Sequence, residues 1–201
     1  MSAARTRLSA AFDRFDAANA GDPNKIIIDG VETARALLYA QQMTAWQRQL
    51  YPSASDALQL AARAQHIRRW EVPRESFPMD RAGYHRWRTT LYTFHADVAA
   101  AILRELTFDD RTIERVRALL RKEKLKTDPE TQALEDVACV VFLENYFAAF
   151  AAGHEEEKVI AIVRRTWAKM SPHGHAAAMT LSLPDKAQEL VARALTGEGG
   201  G

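Results

Sequence analysis

Seven arginines stand between positions 63 and 88, namely Arg63, Arg68, Arg69, Arg74, Arg81, Arg86 and Arg88, against three acids, Glu71, Glu75 and Asp80. Trp70, Phe77, Tyr84 and Trp87 are interleaved with them. A guanidinium is a rigid fork of N–H donors that grips phosphate or carboxylate through two bonds at once, and an aromatic face stacks on a base or ring. The segment therefore suits recognition of an anion that carries a planar group. It equally suits a structural reading, in which the arginines pair with the acids and the aromatics enter the core. Pro73 and Pro78 force a loop in its middle, and loops of that kind often close over sites.

Five further groups bear on chemistry. His66 has Arg63 and Arg69 three residues to either side, a spacing that puts all three on one face of a helix. Neighbouring cations disfavour imidazolium, which leaves a neutral ring able to ligate metal or take a proton. His95 lies beside Phe94 in a helical run, the ordinary setting of a hydrogen-bonded core histidine. His173 and His175 form a His-x-His pair in an expected turn, a weak metal motif that a solvated loop explains as well. Asp136, next to Glu135, enters the apolar start of a helix and needs a partner there, either a core arginine or a site. Cys139 sits in the apolar run Val137-Ala138-Cys139-Val140-Val141-Phe142, where burial disfavours the thiolate. A lone cysteine forms no internal disulfide.

The elements that must position these groups are helical. Apolar residues recur at helical spacing almost throughout, so the fold class is all-α, a single-domain helical bundle over 1–196 with a disordered glycine-rich tail at 197–201. Helices are expected at about 5–20, 33–50, 56–70, 81–106, 110–123, 130–152, 155–170 and 185–195. Gly21-Asp22-Pro23 stops the first, Ser53 or Ser55 caps the third, Asp109 or Asp110 opens the fifth, and Asp128-Pro129 opens the sixth. The run Ile26-Ile27-Ile28 is the only β-like stretch and is read as an extended connector. With 47% hydrophobic and 26% charged residues in 201, the chain can build a core without metal or disulfide staples. A net charge of +1 argues against a nucleic-acid partner recognised by bulk charge. No stretch reaches the ~18 apolar residues of a membrane span, and no apolar signal core follows Met1, so the expected location is cytoplasmic.

Four segments carry a resemblance to a known family: Leu38-Tyr39-Ala40-Gln41-Gln42-Met43, Arg63-Ala64-Gln65-His66-Ile67-Arg68-Arg69-Trp70-Glu71, Met79-Asp80-Arg81-Ala82-Gly83-Tyr84 and Leu134-Glu135-Asp136-Val137-Ala138-Cys139. Together they look like the uncharacterised bacterial and fungal family numbered 4202 among the domains of unknown function, over nearly the whole chain. Helix order and spacing more distantly resemble the HD superfamily of metal-dependent phosphohydrolases. That second resemblance implies an HD-like bundle with a divalent transition metal as cofactor. It puts His66 where the histidine of the His-Asp pair belongs, His95 where a further histidine often stands, and Asp136 at the final aspartate. Tyr39 stands in place of the first histidine and Ile67 in place of the paired aspartate, so the implied metal site is depleted.

The expected function is binding of an anionic small molecule, phosphorylated or nucleotide-like, in an arginine and aromatic cleft. Ligand-binding candidates are Gln42, Arg63, Arg69, Trp70, Arg74, Arg81 and Tyr84. His66 and Asp136 are the candidates for proton transfer. The alternatives are an active metal-dependent phosphohydrolase or oxygenase with His66, His95 and Asp136 as ligands, and a protein- or RNA-binding module. A homodimer is compatible with any of them.

Overall fold

The computed structural model describes residues 3–196, with side chains from residue 6 onward. These residues are mostly helical with a small two-stranded hairpin, and they form two compact units, one ending at Leu134 and the other starting at Glu135. The tail expected at 197–201 lies outside the described residues.

The first unit holds α1 (Ala3–Ala20), β1 (Lys25–Ile28), β2 (Val31–Ala34), α2 (Arg35–Leu50), α3 (Asp56–Ala64), α4 (Arg81–Glu105), α5 (Asp110–Leu120) and the start of α6 (Pro129–Asn145). Side-chain oxygens cap three of these helices, at Ser55 and Asp109 as the sequence places them and at Asp80 besides. The Ser55 hydroxyl accepts the Leu58 N–H at 3.1 Å, Asp80 that of Gly83 at 2.6 Å, and Asp109 that of Thr112 at 2.9 Å. Helix α5 lies against α3 and α4, α2 lies against α3, and α1 touches α2, α3 and α4. Phe15, Met43, Leu60, Ile67, Leu103, Ile113 and Leu119 are fully buried among them. Each contributes about 1.5–3 kcal/mol through removal of apolar surface from water.

One expected connector is a hairpin. The strand Lys25–Ile28 pairs antiparallel with Val31–Ala34, Lys25 opposite Ala34 and Ile28 opposite Val31. Asp29 and Gly30 supply two consecutive positive φ angles, 49° and 80°, which a two-residue hairpin turn of this hand demands. Asp22 fixes its base, since one carboxylate oxygen accepts the Asn24 N–H and the other that of Ala36, both at 2.9 Å.

The second unit holds the remainder of α6, then α7 (Phe147–Ala152), α8 (Glu156–Trp167), α9 (Pro172–Ala178) and α10 (Asp185–Thr196). Its core contains Val137, Val140, Val141, Phe147, Val159 and Leu190. The helix expected at 130–152 is two, because Tyr146 leaves helical geometry at φ −125°. The turn expected around His173 and His175 is α9. Ser171 accepts the Gly174 N–H at 3.2 Å, and Pro172 opens the helix, where its missing N–H costs nothing. Among the described residues no helix is long and apolar enough to cross a membrane.

Candidate functional site

The site begins where α3 stops. Helix was expected to continue to Trp70, but α3 ends at Ala64 and the chain turns through 65–68 into a short 3-10 turn, Arg69–Glu71. Arg68 takes the left-handed conformation, φ 51°. Its N–H is donated to Oδ1 of Asn19 on α1 at 3.1 Å, and the buried Ile67 offers its carbonyl to Nδ1 of His95 on α4 at 2.8 Å. The turn is thus tied to α1 on one side and α4 on the other. One consequence is that Arg63, His66 and Arg69 do not share a helical face. Arg63 instead holds α1, with both Asp16 oxygens at 2.5 and 2.7 Å and the Thr44 hydroxyl at 3.2 Å. Arg63 is thus an intramolecular tie between α3, α1 and α2.

His66 and Arg69 lead into a cluster of rings and cations drawn from α2, α4 and the turn after α5. Tyr39 stacks on His66 with centroids 4.2 Å apart and planes at 14°. His95 lies 5.7 Å beyond. The Arg69 guanidinium rests 4.6 Å from the centre of the Trp87 ring, whose Nε1 donates to the Val72 carbonyl at 2.8 Å. Arg88 donates to the Tyr92 hydroxyl and sits 5.9 Å from the Tyr84 ring. Residues Tyr84, Arg88, Tyr92 and His95 follow one another at intervals of four, four and three along α4, so one face of that helix supplies them all.

The electrostatics of the cluster are one-sided. Burial pushes the His66 pKa well below 6.5, and the positive charges of Arg69, Lys122 and Arg88, with His95, push it the same way. Burial likewise lowers His95, to about 3. Burial lowers the Arg69 guanidinium itself, with Tyr39 opposing and Arg88 adding to the fall. No carboxylate enters among these influences, and no described carboxylate is within ion-pair distance of Arg69. The Nδ1 contact to a carbonyl makes that nitrogen the protonated one in His95. Its Nε2 then carries a lone pair, and that atom is buried with no hydrogen-bond partner among the described residues.

The remaining candidates are placed as follows. Arg74 donates to the carbonyls of Phe77 at 3.0 Å and Asp80 at 3.3 Å, so it braces the proline-flanked loop while its charge lies near the Tyr84 and Trp87 rings. Tyr84 is 41% exposed, an aromatic edge open to solvent beside that loop. Gln42 follows Tyr39 by three residues on α2 and is half-buried. Trp70 lies against the Gly21 end of α1, and Arg81 is exposed in the first turn of α4. In the second unit, Asp136 is fully buried and accepts the Ser171 N–H at 2.8 Å and its hydroxyl at 2.5 Å. A Cβ on Gly174 would come within 2.7 Å of that carboxylate, so glycine lets the start of α9 close on it. The partner that Asp136 needed is a helix start.

The expected metal set of His66, His95 and Asp136 is corrected by these positions. Among the described residues no three of histidine, cysteine, aspartate and glutamate form a group able to hold a metal ion. The physical reason lies in the surroundings. His66 and His95 stand in a field of cations, and both Asp136 oxygens are engaged by Ser171. Five residues of the cluster, Tyr39, Trp87, Arg88, Tyr92 and Lys122, are not among the candidate site residues. The α4 spacing was a signal for Arg88 and Tyr92. Lys122 stands in a left-handed turn after α5, at φ 57°, and its charge acts on His66.

The profile of a family described as "Domain of unknown function (DUF4202)" matches residues 9–191. Comparison with curated proteins and with solved structures gave no match.

Proposed function

The chain belongs to the DUF4202 family, a membership that names no activity, and from the chemistry of the cluster we propose that it binds an anionic small molecule, phosphorylated or nucleotide-like, at Arg69. The observation that carries this reading is a half-buried guanidinium lying on an aromatic face without a carboxylate to neutralise it. A cation taken from water and left without a counter-ion is destabilising, and an anionic ligand removes that penalty. Arg88 and Lys122 extend the positive field that acts on His66. A guanidinium offers two parallel donors to a phosphate, which an ammonium does not. The Tyr84 ring, partly open to solvent beside the loop, supplies a surface on which a planar group can stack. The neutral His66 then serves the ligand as a hydrogen-bonding group and not as a second charge. An HD-like ancestry of the bundle would agree with a phosphate-binding floor that has lost its metal, but the argument from Arg69 stands without it.

The test compares wild type with Arg69→Gln, using inorganic phosphate, pyrophosphate and adenosine monophosphate as probes in thermal-shift and calorimetric titrations. Wild type should be stabilised saturably by at least one probe. Arg69→Gln should weaken that binding about 10- to 100-fold, the equivalent of about 1.5–3 kcal/mol for a charge-assisted contact. The unliganded variant should be no less stable than wild type, because an uncompensated charge has been removed. Arg68→Gln, whose side chain pairs with Glu71 at 2.6 Å, should bind as wild type does. Equal titrations for wild type and Arg69→Gln, or no saturable shift with any probe, would overturn the proposal.

A further inference from the structure

The cluster contains one feature that a site built for any anion would not need. On a ring that feels the Arg69 charge lies a lone pair. His95 donates from Nδ1 to the Ile67 carbonyl, which leaves Nε2 as an acceptor, and that acceptor is buried without a donor among the described residues. Its ring is 3% exposed and 5.7 Å from His66. The tautomer is set by a main-chain carbonyl on a turn that α1 also holds, which keeps the proton on Nδ1 and the lone pair on Nε2. A buried acceptor left unsatisfied is unfavourable in the free protein and repels any ligand atom that also carries only lone pairs. It is favourable only toward a ligand that brings a hydrogen.

We infer that the Arg69 site selects an anion that carries its own proton donor, a hydrogen phosphate or a phosphate monoester with a P–OH or neighbouring hydroxyl, whose O–H is donated to Nε2 of His95. Two demands then meet in one ligand, negative charge for Arg69 and a hydrogen for His95. Sulfate satisfies the first alone. At neutral pH it matches the phosphate dianion in charge and nearly in size, yet holds no proton, so its oxygen lone pairs face that of Nε2. The discrimination is the kind that a misplaced lone pair gives when a hydrogen bond is replaced by a repulsion in a buried site. The ligand class is thereby narrowed from anions in general to protonated oxyanions of phosphorus. The inference rests on the anion-binding reading of Arg69 and adds to it a requirement made by a different residue.

Isothermal titration calorimetry of the wild-type chain at pH 7.5, in a buffer without oxyanions, with inorganic phosphate and then with sulfate, separates the two claims. Phosphate should bind about tenfold or more tightly than sulfate. In His95→Asn the side-chain amide still reaches toward the Ile67 carbonyl as a donor while the Nε2 lone pair is gone. There the preference for phosphate should collapse to within about twofold. Equal affinities for phosphate and sulfate in wild type would overturn the selectivity and leave the anion site standing. Binding of neither would remove both. A phosphate preference unchanged in a folded His95→Asn variant would overturn the role given to His95. Should that variant fail to fold, the wild-type ratio of the two affinities still decides the inference.

Discussion

Lowering the pH should unfold this protein through His95 in particular, and the size of the effect follows from its place in the core. In the unfolded chain the imidazole titrates near 6.5, whereas in the folded chain burial holds it at about 3. Between those values the unfolded state binds a proton that the folded state refuses. Stability from this residue is therefore fully present above pH 6.5 and declines as pH falls toward 3. At pH 7.5 the difference is negligible. At pH 5 the unfolded ensemble is favoured by about 2 kcal/mol, each pKa unit being worth 1.36 kcal/mol. The ring is almost wholly buried, so solvent screening takes little from that figure. His66 titrates in the same direction and adds its own share, and the measurement must separate them. His95→Asn does so, since its amide does not titrate. Urea unfolding followed by tryptophan fluorescence at pH 7.5, 6 and 5 should show wild type losing about 2 kcal/mol more than the variant across that range. The variant starts from a lower stability because it leaves a cavity, so only the change with pH is informative. Parallel pH profiles would mean that His95 titrates alike in both states and would refute the reasoning.

Two other substitutions test how the site is held. A Cβ on Gly83 would sit 2.0 Å from the Pro78 carbonyl oxygen, a main-chain atom that no rotamer change can move. Gly83→Ala should cost about 1–3 kcal/mol or more and displace the loop that Trp87 holds at Val72, visible as a changed near-ultraviolet circular dichroism spectrum. A variant with wild-type spectrum and stability would contradict that packing. Asp128 both caps α6, accepting the N–H groups of Glu130 and Thr131 at 3.0 and 2.9 Å, and holds Arg115 through two bonds at 2.7 and 2.8 Å. Asp128→Ala should cost about 2–3 kcal/mol, and Asp128→Asn about half as much because asparagine still caps, as denaturant unfolding would measure.

What the sequence disclosed was mostly local. Caps and stops at Gly21, Ser55, Asp109 and Asp128 are short-range chemistry and placed their helix ends well. The hairpin was missed although Asp29-Gly30 is a turn dipeptide, because four-residue strands leave almost no alternation to read. Ser171-Pro172 was an equally legible helix start that the two nearby histidines obscured. At the candidate site, residue type alone does not tell Arg63, paired with Asp16 some forty-seven positions away, from Arg69, which has no such acid. The early end of α3 decided that difference. It depends on Asn19 and His95 catching the turn from other helices, a tertiary effect that local propensity does not encode.

The bond from Arg68 to Asn19 spans 49 positions, and it has a bearing on how the cluster comes into being. A peptide beginning at α2 would contain Tyr39, His66, Arg69, Arg88, His95 and Lys122 and still lack the clamp that bends the chain between two of them. The cluster is thus a property of the folded unit: the N-terminal helix donates none of its rings or cations, yet it holds the turn between His66 and Arg69.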